Sequence, residues 1–263
     1  MEWIISGKMA TKFYDYNELG KMSIAGLMSG RGTNLVKIIR HEKELDKTAG
    51  AGSPYHVAVI FSDTPKSNAN EIGSIFGIPV LTYDLESFCA KRGLPVRNMA
   101  ARYEYEEQCM KALEGFNCPV AAFAGYMRKA SGVFLNSFLA INVHPADLTI
   151  KGPDGKPKYR GDHAVLDALK AGEKEIRATT HIAEKEVDCG RILMISKPVI
   201  VTHKPSEITP EIADEYQEKL KEVGDWDIFP RTLQHIAEGR FARDGKDELY
   251  FDGRFIPNGV RLE

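Results

Sequence analysis

The sequence predicts an α/β fold: an open, mostly parallel, twisted sheet with helices on both faces. Three observations predict it. Short apolar runs of strand length alternate with stretches of helical periodicity. Those runs are continuously apolar, as in strands buried on both faces. Three unusual segments, SGRGTN, AGYMRKAS and NVHPADL, each follow such a run. They therefore fall at the carboxyl ends of strands, where sheets of this kind bind ligands.

Residues 22–28, MSIAGLM, read as the first buried strand, running into SGRGTN. Leu35, Ile38 and Ile39 then recur at helical spacing. HVAVIFS, residues 56–62, is the second strand. SNANEIGSIFG reads as a helix closed by Gly77 and followed by strand IPVLTYD. A polar helix is expected over 96–113, a strand over 118–124 and a short helix in SGVFLNSF. Residues 139–143, LAINV, form the next strand, and Pro145 ends its pairing. The stretch 175–201 reads as two strands joined by a turn at Asp188-Cys189-Gly190. Helices are expected over 210–224 and 228–238. Asp252-Gly253 between short apolar runs predicts a C-terminal hairpin. Residues 1–21 read as an appended extension and 22–263 as one continuous domain.

Of the 263 residues, 43% are hydrophobic, enough for a sizeable core. A formal net charge of −2 gives no global attraction to nucleic acid or to a membrane surface. No apolar run reaches membrane-spanning length, and residues 1–22 lack the pattern of a secretory signal. Cys89, Cys109, Cys118 and Cys189 show no metal-ligand spacing. A cytoplasmic protein with reduced thiols and no metal site is expected.

SGRGTN places glycines before a helix N-terminus, where backbone N–H groups favour an anion. It lacks the P-loop lysine and the dinucleotide-fingerprint spacing, so taken alone it is an ordinary strand-to-helix turn. A lone histidine at a strand end is most simply a satisfied polar residue. Asn142 changes that reading, because side chains alternate along a strand and Asn142 and His144 share one side. An amide N–H₂ and an imidazolium are both donors suited to a developing alkoxide. Asp188 sits where Asp-x-Gly is common for conformational reasons, but a carboxylate near His144 would favour its charged form. His181, on the strand before that turn, is either structural or a supporting partner. Cys189 has no base nearby in sequence and reads as a small turn residue.

SGRGTNL, AGYMRKAS, INVHP, TTHIAEKEVDCGRIL and DWDIFPRTLQ stand in an order and context that resemble the folate-dependent formyltransferases. The resemblance runs from about Ser23 onward. Asn-x-His-Pro with Asp-x-Gly carries the superfamily, and SGRGTN narrows it to the branch acting on glycinamide ribonucleotide. The resemblance implies a Rossmann-like formyltransferase domain, 10-formyltetrahydrofolate as co-substrate and a phosphorylated amine as acceptor, with a homodimer left open. It implies catalytic roles for Asn142, His144 and Asp188. Gly32, Thr33 and Asn34 match a phosphate-holding loop. Tyr126, Met127, Arg128 and Lys129 match a segment lining the folate pocket, largely through backbone. Asp225 stands where the family has a glutamate that contacts the ribonucleotide, and His181 matches a histidine near the catalytic centre. In the implied mechanism His144, as imidazolium, and Asn142 stabilise an oxyanion. Asp188 keeps His144 charged and organises a water that relays the proton.

Three readings compete. A deformylase would use the same three residues on water, but carries an N-terminal regulatory domain for which 22 residues are too few. A sugar-amine formyltransferase would also suit the YRG ending of the segment at 149–161. A non-catalytic folate- or nucleotide-binding protein would not need all three residues. The segment 151–160, KGPDGKPKYR, departs most from the family. Lys151, Lys156, Lys158 and Arg160 face only Asp154 in that stretch, and Pro153-Asp154-Gly155 signals a turn. A small hairpin is expected there, either a solvated decoration or a cationic lid over the substrate.

Overall fold

The computed structural model describes residues 2–5 and 8–263, with residues 2–5 and Lys8 described by backbone alone. Strands β1 (Glu2–Ile5) and β2 (Lys8–Lys12) lead through a single turn, α1 (Tyr16–Leu19), to β3 (Met22–Met28). All of β3 except Ser23 is buried, as its unbroken apolar run requires. Helix α2 (Thr33–Thr48) buries Leu35, Ile38 and Ile39 along one stripe. There follow β4 (Tyr55–Ser62), α3 (Ala69–Phe76), β5 (Val80–Thr82), α4 (Leu85–Ala90) and α5 (Met99–Leu113). Helix α5 begins three residues later than the polar helix expected from residue 96, because the Asn98 side chain caps it by accepting from the Ala101 N–H at 3.0 Å. Then come β6 (Val120–Phe123), α6 (Gly132–Ser137) and β7 (Leu139–His144).

The remaining elements are α7 (Ala164–Lys170), β8 (Glu175–Ile176), β9 (Thr179–Ile182), β10 (Ile192–Ile195) and β11 (Val199–Ile200). Helix α8 (Pro210–Leu220) follows, capped by the Thr209 side chain with Pro210 at its first position. The expected stop near Gly224 does not occur. A π-helical turn, Lys221–Asp225, runs directly into α9 (Trp226–Ala237). Strands β12 (Phe241–Asp244), β13 (Leu249–Phe251), β14 (Arg254–Phe255) and β15 (Val260–Arg261) complete the chain. The β13–β14 hairpin is the expected one, with Asp252 and Gly253 both at positive φ (47° and 75°).

The chain folds as two compact units. One comprises the residues up to Glu18 together with Asn142–Glu263, the other Leu19–Ile141. This division differs from a boundary after residue 21, because β2 pairs with β12 and draws the first strands into an antiparallel sheet, β1-β2-β12-β13-β14. In the unit Leu19–Ile141, β6, β3, β4 and β5 are parallel neighbours in that order. In the other unit β9 and β10 pair antiparallel, and β10 and β15 parallel. Strand β7 straddles the division in sequence, with Asn142 and His144 falling in the same unit as β9 and β10. The stretch 175–201 is four short strands rather than two. Its ladder is interrupted where Arg177 donates to the Ser196 carbonyl at 2.8 Å, and β8 and β11 pair separately beyond that point. No helix among the described residues is long and apolar enough to cross a membrane.

Candidate active site

Strand β7 delivers Asn142 and His144, β9 delivers His181, and the turn after β9 delivers Asp188, all within one compact unit. The Asn142 amide nitrogen lies 3.2 Å from His181 Nε2. His181 Nδ1 donates to the Ile182 carbonyl at 3.0 Å, so Nε2 is the nitrogen turned toward Asn142. Asp188 stands between the two histidines, with Oδ1 3.5 Å from His181 Nε2 and Oδ2 3.4 Å from His144 Nδ1. The other nitrogen of His144, Nε2, donates to the Tyr159 carbonyl at 2.9 Å. Asp188 Oδ2 accepts the Gly161 N–H at 2.9 Å. His144, His181 and Asp188 are all buried.

The turn that carries Asp188 is built for this placement. Asp188 holds φ 55°, a left-handed conformation that aspartate tolerates better than most residues. Two residues on, a Cβ at Gly190 would stand 1.8 Å from the Ile182 carbonyl oxygen. Glycine there lets the turn close against the end of β9, where His181 resides.

The electrostatics oppose one expectation. Burial lowers the pKa of His144 and outweighs the upward pulls of the Asp188 carboxylate and the Tyr159 carbonyl, so the ring releases its proton below the ordinary histidine range. The Asp188 carboxylate does favour the charged ring, as expected, but burial is the larger effect. Burial alone would raise the Asp188 carboxyl. His181, the His144 charge and the Gly161 amide overcome it, and Asp188 sits below its ordinary value. Both His144 nitrogens already face acceptors. The protonated ring satisfies both contacts, and direct donation to a further oxygen needs one of them to open.

Tyr159 and Gly161 are partners that pattern reading missed, since each acts through its backbone. The only signal was the return of a family-like ending, KPKYRG, after the insertion. The insertion itself is the expected small hairpin, with a Lys151–Pro157 bridge and a turn at Gly155. Its cations are committed. Lys156 pairs with Glu186, Arg160 reaches Asp154 at 3.2 Å and Glu186 at 3.7 Å, and Lys158 Nζ lies 3.9 Å from Glu173. Asp225 is buried at the end of the π-helical turn.

The other predicted segments lie in the unit Leu19–Ile141, where Ser29 joins them. Its N–H donates to the Gly125 carbonyl at 3.0 Å, and its hydroxyl accepts the Met127 N–H at 3.0 Å. Gly32 is the N-cap of α2 at φ 70° and has no side chain of its own to cap the helix. The first amides of α2, from Thr33 and Asn34 onward, thus present an anion-favouring end. Tyr126 is buried, with its ring against Phe123 (centroids 5.5 Å) and Phe134 (6.3 Å), so the segment offers backbone rather than the Tyr126 side chain. Met127 is exposed. Arg128 is drawn to Asp63 at 2.6 Å. Arg102 donates to the Lys129 carbonyl, and the Glu106 carboxylate accepts from the Ser131 amide and hydroxyl, so α5 fixes this segment from behind. No group of side chains among the described residues could hold a metal ion.

A model of the formyl transferase family matches residues 22–223. The chain belongs to the formyl transferase family. Phosphoribosylglycinamide formyltransferase of Haemophilus influenzae is 27% identical over 237 residues, covering 89% of this chain and 95% of that protein. The trifunctional purine biosynthetic protein adenosine-3 of Drosophila melanogaster is 26% identical over 219 residues. The chain spans only 14% of its length. Among solved structures, glycinamide ribonucleotide transformylase 1 from Symbiobacterium toebii superposes with a TM-score of 0.65 at 25% identity, covering 88% of this chain and 94% of that one. Phosphoribosylglycinamide formyltransferase from Coxiella burnetii reaches a TM-score of 0.70 at 23% identity, covering 92% and 100%, and shares the fold.

For this formyltransferase the joined residues have a definite chemical capacity. The Asn142 amide keeps a second N–H beyond the one facing His181, and an amide donor of that kind suits a developing oxyanion. A proton on His144 would add a buried positive charge, which acts strongly where water is excluded. Asp188, ionised and held by three donors or cations, can take or pass a proton without moving.

Proposed function

We propose that this formyltransferase transfers the formyl group of 10-formyltetrahydrofolate to the primary amine of phosphoribosylglycinamide, a step of purine biosynthesis. The observation that carries the reading is the linkage of half-buried Asn142 to buried His181, Asp188 and His144 in one cluster. The names of the full-length relatives support the acceptor.

The amine nitrogen attacks the formyl carbon, and the carbonyl oxygen takes the negative charge. Asn142 donates to that oxygen, and a His144 ring that has taken its proton from solvent before the attack supports the same charge as the imidazolium, keeping that proton throughout. The carbon–N10 bond of the folate then breaks. The proton lost by the attacking amine passes by way of Asp188 and an intervening water to N10. The amides of Gly32, Thr33 and Asn34 hold the phosphate, and Asp225 faces the ribonucleotide. The folate lies along the backbone of Tyr126, Met127, Arg128 and Lys129.

The test is tetrahydrofolate release from 10-formyltetrahydrofolate by purified protein with phosphoribosylglycinamide, with a phosphorylated amino sugar, and with water alone. Fast release with the ribonucleotide only is expected. Equal release in water would make the protein a hydrolase, and release with the amino sugar alone would replace the acceptor.

A further inference from the structure

We infer that Arg261 is a positioning residue for His144, acting through the Asp147 carboxylate. The inference rests on the catalytic reading of His144 above. Arg261 lies on β15, far along the chain from His144, and Ile195 of β10 is its partner in the parallel pair. Its backbone is firmly placed. The Leu262 N–H donates to the Ile195 carbonyl at 2.9 Å, and the Leu262 carbonyl accepts from the buried Arg177 guanidinium at 2.9 Å. Gly259, at φ 73°, lets the strand approach. A Cβ there would stand 2.6 Å from Ile192 Cγ2 and 3.0 Å from the Leu193 carbonyl oxygen.

From this base the guanidinium reaches the segment that leaves His144. Nη1 lies 2.8 Å from Asp147 Oδ2, and Nη2 donates to Thr149 Oγ1 at 3.0 Å. The second oxygen of Asp147 accepts the Thr149 N–H at 3.0 Å and its hydroxyl at 2.5 Å. Isolated exposed ion pairs hold little. This one differs, because the Asp147 side chain is only 11% exposed and its hydrogen bonds among the described residues all come from the clasp. The same segment is pinned on its other side by buried Thr179, whose hydroxyl donates to the Ala146 carbonyl and accepts the Leu148 N–H. The hairpin returns through Lys158, which donates to the Ile150 carbonyl at 2.8 Å, and next in sequence is Tyr159, whose carbonyl accepts from His144. Arg261 therefore fixes the point from which the chain leaves His144 and to which its acceptor returns.

Three variants test this: Arg261→Gln, Arg261→Lys, and Arg254→Gln on exposed β14 as a control. Two readouts need no substrate: the His144 ring titration by NMR and amide exchange over residues 147–159. The charged groups that bear on His144 are Asp188, His181 and Asp162, and the variants alter none of them. Arg261→Gln should speed exchange over 147–159, move the His144 midpoint and lower kcat about tenfold, below the roughly 10²-fold loss expected for a full ångström of misplacement. KM for both substrates should hold within about twofold, since binding is not what the clasp sets. Arg261→Lys, which keeps one contact to Asp147, should recover most of kcat, and Arg254→Gln should match the parent. If Arg261→Gln does not fold, Asp147→Asn takes its place with the same expectations. Parent-like titration, exchange and kcat in Arg261→Gln would overturn the inference, as would equal losses in Arg254→Gln. If the parent transfers no formyl group to the ribonucleotide, the functional reading fails, and the titration and exchange still decide on the clasp.

Discussion

His144 illustrates how burial and partners compete at one residue. Its ring is 5% exposed, and desolvation outweighs the Asp188 carboxylate, so it titrates below the ordinary value of about 6.5. Removing the carboxylate should lower it again. In Asp188→Asn the His144 midpoint, followed by ring-proton NMR, should move further down, and turnover should fall by about 10²-fold or more, the scale of losing oxyanion support. An upward or absent shift would show that Asp188 does not favour the charged ring. The same depression has a stability consequence. The unfolded chain binds this proton at higher pH than the folded one, so the contribution is complete above about 6.5 and is lost as pH falls through the folded pKa. Denaturant midpoints measured from pH 7.5 down to 5 should decline less in His144→Gln than in the parent.

At the scale of elements, the turn after β9 sets the geometry more than any strand does. Its closure depends on Gly190, whose missing side chain admits the Ile182 carbonyl. Gly190→Ala would push a backbone against a backbone, which cannot yield as a flexible side chain can. A loss of about 1–3 kcal/mol in denaturant unfolding is expected, together with reduced turnover as Asp188 shifts. A parent-like Gly190→Ala protein would mean that the turn relaxes freely. The hairpin of residues 151–160 belongs to this element too. Lys156, Lys158 and Arg160 answer Glu186, Glu173 and Asp154, and Lys151 donates to the Leu148 carbonyl, so its charge is largely spent on the protein itself. That favours a strap bearing Tyr159 and Gly161 over a free cationic lid.

Across the whole molecule, the net charge of −2 repels a phosphorylated substrate slightly, so any attraction must be local. The N-terminal end of α2 offers a fixed partial charge to a phosphate. Screening shortens from about 10 Å at 0.1 M salt to about 3 Å at 1 M. KM for the phosphorylated amine should therefore rise with salt more steeply than KM for the folate, in steady-state kinetics at fixed pH. Parallel salt responses would remove the α2 end as the phosphate site.

The alternation of apolar runs and helical stripes determined the parallel sheet, because burial on both faces writes itself into local sequence, as in MSIAGLM and VAAF. The shared side of Asn142 and His144 and the turn at Asp188 were legible for a related reason, since strand alternation and the Asp-x-Gly turn are local rules, while their chemical roles were implied only by the resemblance. The partners of His144 were not. Tyr159 and Gly161 contribute a carbonyl and an amide that every residue carries, so nothing in their identity announces the role. Arg261 reaches Asp147 across more than a hundred residues of chain. The downward pull on the His144 pKa was likewise decided by tertiary structure, since desolvation depends on what packs over the ring, and packing is a property of the folded chain alone.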